Sequence, residues 1–541
     1  MRSNLFKLSA VAATICASFA ANSAIYNVVE VYQPVVDQNA RTFGVAIQPS
    51  TDACWTTKDC SLKHDEEQKI AFEEQLNNQG FLYRDESPFR LSFGFDYLED
   101  GLDGFDLYCR DWLGYNENAC DDWAKRQYTQ GYALEGPANN NSYAYIESSA
   151  TKINAGENNV IVNSFGSTPA SDAIGTYYGG NLQNRSIAYK GTTPLAKGSY
   201  DQTKAWAEFD KYQVGSVSKQ SSSNTNDYFS NAAIWNNGSL VVIQNQATDA
   251  KDRRIPQGSA RDIACVGGVL ADCADGKIYA VGYNSGSSDQ RIPIASVFDI
   301  NTNPSFTVDV NRITEFSDDD KYLSSVLTHV NNNGVAIGEA KNRNPQRAYA
   351  NALFYVSNVA SPNSYTMFSG GIFFDGANGK AGAINNFNEV VGQIDYETKA
   401  EVGGTERAKR AFVTTIGDKS TSPLKGQSRY LDDLTMGTGA LSSNNQYRII
   451  DATDINDAGV ISATALYCAG GYDTQAINST CQGGTPGTEK LRAVKLVPIN
   501  GADASQIQPR GVDSETIERE GGSVGWFALG LLTLLGFRRK Q

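Results

Sequence analysis

The sequence predicts an all-β chain, a β-propeller-like repeat of six to eight blades with a small disulfide-stapled insertion that contains a helix. A short turn motif recurs through the chain, each copy is followed by a strand led by an arginine, and the cysteines fall into sequence-local pairs separated by long cysteine-free stretches. Supersecondary units recurring at roughly 50–70 residues indicate radial or stacked β architecture. Four-stranded blades suit that spacing, because radial repetition leaves only short, protected sheet edges. An array of β-sandwiches is the structural alternative.

The motif is clearest at Val330-Asn331-Asn332-Asn333-Gly334-Val335-Ala336-Ile337-Gly338, which aligns without gaps on Ile384-Asn385-Asn386-Phe387-Asn388-Glu389-Val390-Val391-Gly392. A third copy is Ile455-Asn456-Asp457-Ala458-Gly459-Val460-Ile461-Ser462-Ala463. Asn, Asp and Gly supply the positive φ angles of a tight turn, and Val and Ile suit the strand that follows. Weaker copies are Ile153-Asn154-Ala155-Gly156 before Val160, and Trp235-Asn236-Asn237-Gly238 before Leu240. The arginine-led strands begin at Arg185, Arg291, Arg347, Arg410 and Arg492. The interval from repeat to arginine grows from nine residues (Gly338 to Arg347) to eighteen (Gly392 to Arg410) and twenty-nine (Ala463 to Arg492). The strands stay while the loop between them lengthens, and the longest loop holds Cys468 and Cys481.

At the N-terminus Arg2 and Lys7 precede an apolar run, Leu8–Ala21, and the small residues Ala21-Asn22-Ser23. That is a secretory signal peptide over residues 1–23, cut after Ser23 or, alternatively, after Ala24. A strand at Ile25–Val31 follows and is expected to pair with C-terminal strands and close the ring. Residues 50–140 depart from the repeat rhythm and read as the insertion. Within them Lys63–Asn78 is rich in helix formers and Gly80 could end a helix there. The propeller-like domain spans 24–505, with repeats over 145–497, then a linker at 506–520.

The last segment, 521–541, reads Gly521-Gly522-Ser523, an apolar stretch Val524–Phe537, then Arg538-Arg539-Lys540. Fourteen helical residues span about 21 Å at ~1.5 Å per residue, short of a ~30 Å hydrocarbon core. The stretch is nevertheless apolar all round, with Trp526 at one end and Arg538, Arg539 and Lys540 at the other as interfacial anchors. It is read as a transmembrane helix. Glycines beside it weaken helicity, which lets the backbone unwind there.

Removing Arg2, Lys7 and the three C-terminal cations takes the formal charge from −14 to −19, a balance that argues against nucleic acid and anionic membrane surfaces as partners. Eight cysteines remain after signal removal, Cys54, Cys60, Cys109, Cys120, Cys265, Cys273, Cys468 and Cys481. An even number in an exported chain reads as disulfides. Nearest-neighbour pairing (54–60, 109–120, 265–273, 468–481) is expected, although sequence alone leaves the connectivity open.

Catalytic motifs are scarce. A Ser/His/Asp triad needs a histidine relay, and the chain has only His64 and His329. His64 reads as part of a solvated face, and His329 as a strand-end residue. The acidic clusters at Asp96, Glu99, Asp100, Asp103 and Asp106, and at Asp318-Asp319-Asp320, read as solvated loop charge. Asp299-Ile300-Asn301-Thr302-Asn303 opens like a calcium loop, but Pro304 and Val310 replace the expected Gly and Glu. No cofactor is expected; calcium on an acidic loop is the one inorganic alternative.

Two resemblances add to this reading. The repeat resembles the extracellular HAF repeat, with its I-N-x-x-G-x-V-V-G turn and following Ala-Phe strand. The tail resembles the GlyGly-CTERM sorting signal, which implies cleavage near Gly522–Ser523 by rhombosortase, type II secretion as the export route, transient inner-membrane insertion through the tail, and display at the cell surface or release. Strand, repeats and tail together resemble an uncharacterised family of exported bacterial proteins, and the resemblance implies no catalytic residues. The favoured expectation is a surface-displayed or secreted binding protein for a glycan, matrix or protein ligand. The alternative is a secreted polysaccharide hydrolase or lyase using carboxylates and tyrosines in a propeller pocket.

Overall fold

The computed structural model describes residues 24–31, 40–57, 67–77, 100–134, 141–166, 172–179, 185–223, 227–251, 254–268, 273, 276–288, 291–343, 348–399, 406–485 and 487–513. Seven small antiparallel sheets form the blades of a β-propeller. From the inner strand outward, blade 1 is Arg41–Ile47, Ile70–Gln75 and Ser142–Ile146, and blade 2 is Ile161–Ser164, Ile174–Tyr178, Arg185–Lys190 and Thr193–Pro194. Blade 3 is Gln202–Phe209, Tyr212–Gln220, Tyr228–Asn236 and Ser239–Ile243. Blade 4 is Gly258–Val266, Lys277–Ser285, Pro293–Asn301 and Thr307–Arg312. Blade 5 is Tyr322–Val330, Ala336–Asn342, Ala350–Val356 and Tyr365–Met367. Blade 6 is Gly379–Ile384, Glu389–Asp395, Lys409–Thr415 and Arg429–Tyr430. Blade 7 takes Tyr447–Ile455, Ile461–Cys468 and Glu489–Pro498 from the C-terminal part of the chain, and its outer strand, Tyr26–Glu30, from the N-terminal part.

The inner strands of successive blades touch, and the inner strand of blade 7 returns to that of blade 1. Tyr26–Glu30 pairs antiparallel with Val494–Pro498, which closes the ring as its sequence position predicts. A buried ion pair reinforces the closure. Lys495 of blade 7 is fully buried and donates to both carboxylate oxygens of Glu147, at 2.8 and 2.7 Å, beside blade 1. Glu147 in turn accepts the Ile70 backbone N–H at 3.0 Å.

The three strong repeat copies are the turns between first and second strands of blades 5, 6 and 7. In each of the seven blades the pairing of those two strands carries a register shift. The repeat's final glycine lies against the shifted strand. A Cβ on Gly338 would stand 2.2 Å from the Val326 carbonyl oxygen, and one on Gly392 2.2 Å from that of Lys380. The weaker copies occupy other positions. Ile153–Gly156 lies in the passage from blade 1 to blade 2, and Trp235–Gly238 joins the third and fourth strands of blade 3. Arg185, Arg291, Arg410 and Arg492 lie at or near the start of third strands; Arg347 lies outside the described residues.

The helix expected at Lys63–Asn78 is corrected. Ile70–Gln75 is the middle strand of blade 1, paired with Arg41–Ile47 on one side and Ser142–Ile146 on the other. All six residues are buried, and tertiary pairing overrides the helix propensity of Glu and Gln. Glu73 is tolerated inside because its carboxylate accepts the Val162 N–H of blade 2 at 3.1 Å. The helices of the insertion lie further on, α1 at Gly101–Tyr108 and α2 at Glu117–Ala124, in the excursion between the second and third strands of blade 1. Asp100, Asp103 and Asp106 belong to α1 and its start; Asp96, Glu99 and His64 lie outside the described residues.

Disulfides join Cys109–Cys120, Cys265–Cys273 and Cys468–Cys481, the expected neighbours. The expected Cys54–Cys60 pair involves Cys60, outside the described residues. The segment read as the start of the linker lies on the propeller up to residue 513. Arg510 there is buried, and donates from Nε to the Asp432 carbonyl at 2.8 Å and from Nη1 to Gln475 Oε1 at 2.9 Å.

Candidate functional site

Each inner strand runs from one face of the ring to the other. In blade 5, Leu323 near the strand's start packs with α1 and α2, while Val330 at its end lines a cavity of about 370 Å³. The helical insertion and the cavity therefore lie on opposite faces. The insertion sits on blades 3 and 5: Phe105, Tyr108, Trp112 and Trp123 cluster with Tyr228 and Leu323, and the Tyr349 N–H donates to the Leu113 carbonyl at 2.8 Å.

The cavity is the mouth of the central channel, and all seven inner strands contribute to its wall. Its rim over blades 5–7 is made by the repeat turns. Asn331 Oδ1 accepts the N–H groups of Asn333 and Val335, at 3.1 and 3.0 Å, and so closes its own turn. Its Nδ2 donates to the Asn385 carbonyl of the next blade at 2.8 Å. Asn385 does the same toward the Asn456 carbonyl at 3.1 Å, and Asn456 toward the Gln48 carbonyl of blade 1 at 3.0 Å. The repeat asparagine thus shapes a turn and staples its blade to the next, crossing the ring closure. Burial pushes the Glu389 carboxyl, which accepts from Asn385 Nδ2 at 2.8 Å, above its usual range.

Asp262 of blade 4 and Asp454 of blade 7 stand at matching places, each directly after a register shift of its inner strand. Asp262 accepts the Ile263 N–H and, across the blade boundary, the Val330 N–H, both at 2.8 Å. Asp454 accepts Ile455 N–H at 2.8 Å and Ile47 N–H of blade 1 at 2.9 Å. Burial pushes Asp262 up to about 7, with a contribution from the Asp454 charge, and Asp454 up to about 6. The backbone donors pull the other way and are outweighed.

The folded protein accordingly holds these two protons at pH values where unfolded carboxyls, near 3.8, have lost them. Their contribution to stability is complete below about pH 4 and is lost as pH rises through about 6 and 7. Asp262→Asn keeps an oxygen for the Val330 N–H. We expect this variant to gain stability relative to wild type by about 1–2 kcal/mol between pH 5 and pH 8, measured by thermal melts across that range.

The remaining charged groups on the wall are engaged. Glu208 accepts from Lys190 at 2.5 Å, Lys380 reaches Asp451 at 3.3 Å, and both carboxylate oxygens of Asp457 accept from Asn386 at 2.8 Å. The Arg261 guanidinium lies 3.3 Å from the ring centre of Trp206, a cation–π stack between blades 4 and 3. His329 lines the same mouth.

A family profile described as "Protein of unknown function (DUF3466)" matches residues 147–540. The chain belongs to this family. The match begins at Glu147, partner of Lys495 in the ring closure, and takes in blades 2–6 and the three C-terminal strands of blade 7. No curated protein matches the DUF3466 chain. Among solved structures it is similar to a protein of unknown function from Dyadobacter fermentans DSM 18053, at 8% identity over 89% of this chain and 100% of that one, TM-score 0.35. It is also similar to polysaccharide lyase Uly1 (11% identity, 80% and 76% covered, TM-score 0.31) and to the α-L-arabinofuranosidase PaAbf62A of Podospora anserina in complex with cellotriose (12%, 60% and 95%, TM-score 0.23). At these TM-scores the similarities carry no argument about activity.

Of the positions singled out in the sequence, the structure brings His329 and the turn residues of the three repeats to the mouth. Asp299 and Asn301 are strand residues, Asp299 accepting from Lys277 at 2.6 Å, and Asp318–Asp320 lie in the connection that leads into the inner strand of blade 5. Among the described residues no three His, Cys, Asp or Glu side chains gather to hold a metal, and no helix is long and apolar enough to cross a membrane. Ala24 opens the described chain and is buried. Ser23, Gly521, Gly522, Ser523, the helix 524–537 with Trp526, and Arg538, Arg539 and Lys540 lie outside the described residues. Sequence reasoning missed Trp206, Arg261, Asp262 and Asp454. Asp-Ile before the turn, at 262–263 and again at 454–455, is the signal that could have found the two aspartates.

Proposed function

We propose that this protein is an exported, surface-displayed or secreted binding protein whose channel mouth takes a glycan, matrix or protein ligand. The observation that carries the reading is the commitment of the mouth's acidic groups. Asp262 and Asp454 are spent on backbone N–H groups of neighbouring blades, Asp457 on Asn386 and Glu208 on Lys190. A hydrolase or lyase needs a carboxyl positioned to exchange a proton with substrate. The second reading, a polysaccharide hydrolase or lyase, is favoured by the raised carboxyls of Asp262 and Asp454 in one cavity, since a carboxyl that keeps its proton toward neutral pH suits general acid catalysis. Passing the mature protein over a polysaccharide and glycan panel, with released ends measured alongside retention, separates the two: retention without turnover is expected, and depolymerisation overturns the binding reading.

Export is supported by the signal-peptide-like pattern of residues 1–23 and by three disulfides, bonds that persist in oxidising compartments. In this reading Sec export places the domain outside the inner membrane, the tail holds it there transiently, and rhombosortase cuts near Gly522–Ser523 before the type II machinery releases it. Gly521→Ala/Gly522→Ala is expected to keep the tail, because a stiffer helix withholds the peptide bond from an intramembrane protease. Intact mass of the cell-associated protein checks this, and normal trimming of the variant would contradict the assignment.

A further inference from the structure

The second strand of blade 7, Ile461–Cys468, starts beside the mouth residues Asn456 and Asp457 and ends on the opposite face. There the loop closed by Cys468–Cys481 begins, and residues 510–513 lie against it. The Ile477 N–H donates to the Gly511 carbonyl at 2.9 Å, and the Asp513 N–H to Asn478 Oδ1 at 2.8 Å. Asn478 Nδ2 donates to the Asp513 carbonyl at 2.9 Å, and the Thr474 hydroxyl donates to the Asp513 carboxylate. The Arg510 N–H donates to Asp433 Oδ1 at 2.7 Å, while its guanidinium donates to Gln475 and Asn445. From the propeller side, buried Arg410 donates to the Ile477 carbonyl at 2.6 Å and buried Arg448 to that of Thr474 at 3.2 Å. The loop is gripped between the blade and the C-terminal segment, so that segment is fixed on the face of the helical insertion.

Chain length turns this attachment into a constraint on orientation. Nine residues separate Asp513 from Gly522, and fully extended they span at most about 30 Å. The inner strands that cross the ring, such as Tyr322–Val330 and Tyr447–Ile455, are nine residues long, or about 30 Å at ~3.3 Å per residue. A tether that starts on the insertion face would use its whole length to reach the plane of the mouth. None would remain to enter a bilayer. With the tail in a membrane, the mouth therefore cannot be pressed against that membrane.

We propose that the Cys468–Cys481 loop and residues 510–513 form a clamp that makes the tail leave from the insertion face. The tethered protein then turns this face to the bilayer and its processing protease, and its channel mouth outward. This rests on the sorting-tail reading above and adds that the mouth is open to ligand before release as well as after it.

The test uses the full-length protein made in a host without the processing protease and reconstituted into phosphatidylcholine vesicles. The vesicles carry a phosphatidylethanolamine with a photoreactive headgroup, and cross-linked peptides are mapped by mass. Adducts are expected on the insertion face, at residues 101–134 or 474–479, with only background at the mouth residues 261–264, 328–332 and 453–457. A second chain carries about twenty Gly/Ser residues inserted after Asp513, a flexible extension that leaves the folded part untouched and frees its orientation. Adducts on both faces are expected there. Adducts at the mouth of the unextended chain, or a map indifferent to the extension, overturn the proposal and leave the sorting-tail reading in place. Failure of the full-length chain to float with the vesicles overturns both.

Discussion

Lys495→Met is expected to lower the stability of the folded ring by about 3–5 kcal/mol, the usual consequence of stranding one partner of a buried ion pair. Lys495 is fully buried and holds both oxygens of Glu147, which remains enclosed with only the Ile70 N–H when the ammonium is removed. The pair joins blade 7 to blade 1, next to the pairing of Tyr26–Glu30 with Val494–Pro498. A defect here opens the ring at its only non-sequential junction. Urea unfolding should therefore show a lower midpoint and a broader transition than a surface control such as Lys419→Met. Lys495→Met/Glu147→Gln removes the stranded charge and is expected to recover about half of the loss, a coupling read from the double-mutant cycle.

Asn385→Ala is expected to cost about 3 kcal/mol or more, because it removes four bonds at a buried position. Asn385 Oδ1 accepts the Phe387 and Glu389 N–H groups at 3.0 Å each, and Nδ2 donates to Glu389 at 2.8 Å and to the Asn456 carbonyl at 3.1 Å. Asn385→Asp separates the two duties. It keeps the acceptor that closes the turn, loses the donor that staples blade 6 to blade 7, and adds a negative charge beside Glu389. If the residue only shaped its turn, the aspartate would be tolerated. The stapling role requires that Asn385→Asp be at least as damaging as Asn385→Ala, measured by the thermal midpoint at pH 8.

Much of the fold was legible because the repeat residues act locally and between blades at once. Asn331, Asn385 and Asn456 announce a turn by their chemistry, and the same side chains set the blade spacing. Blades 2–4 were harder to read, since their first turns lack that asparagine, and the partial copies at Asn154 and Asn237 belong to other connections. The helix expected over Lys63–Asn78 failed for a specific reason. Glu73 and Glu74 sit inside the ring with partners from distant segments, Val162 and Tyr145, and no local pattern shows such long-range satisfaction. The site was still less legible. Trp206 and Arg261 lie on adjacent blades and meet only when the ring closes.

We propose the channel mouth on the repeat-turn face as the working surface. Hydrogen exchange of the intact protein, with and without the tightest-binding member of the glycan panel, tests this surface. Added protection is expected at the cavity-lining residues 206–208, 261–264, 328–332, 382–386 and 453–457, with residues 101–134 unchanged. Protection confined to the helical insertion at 101–134, or to outer strands, would contradict it.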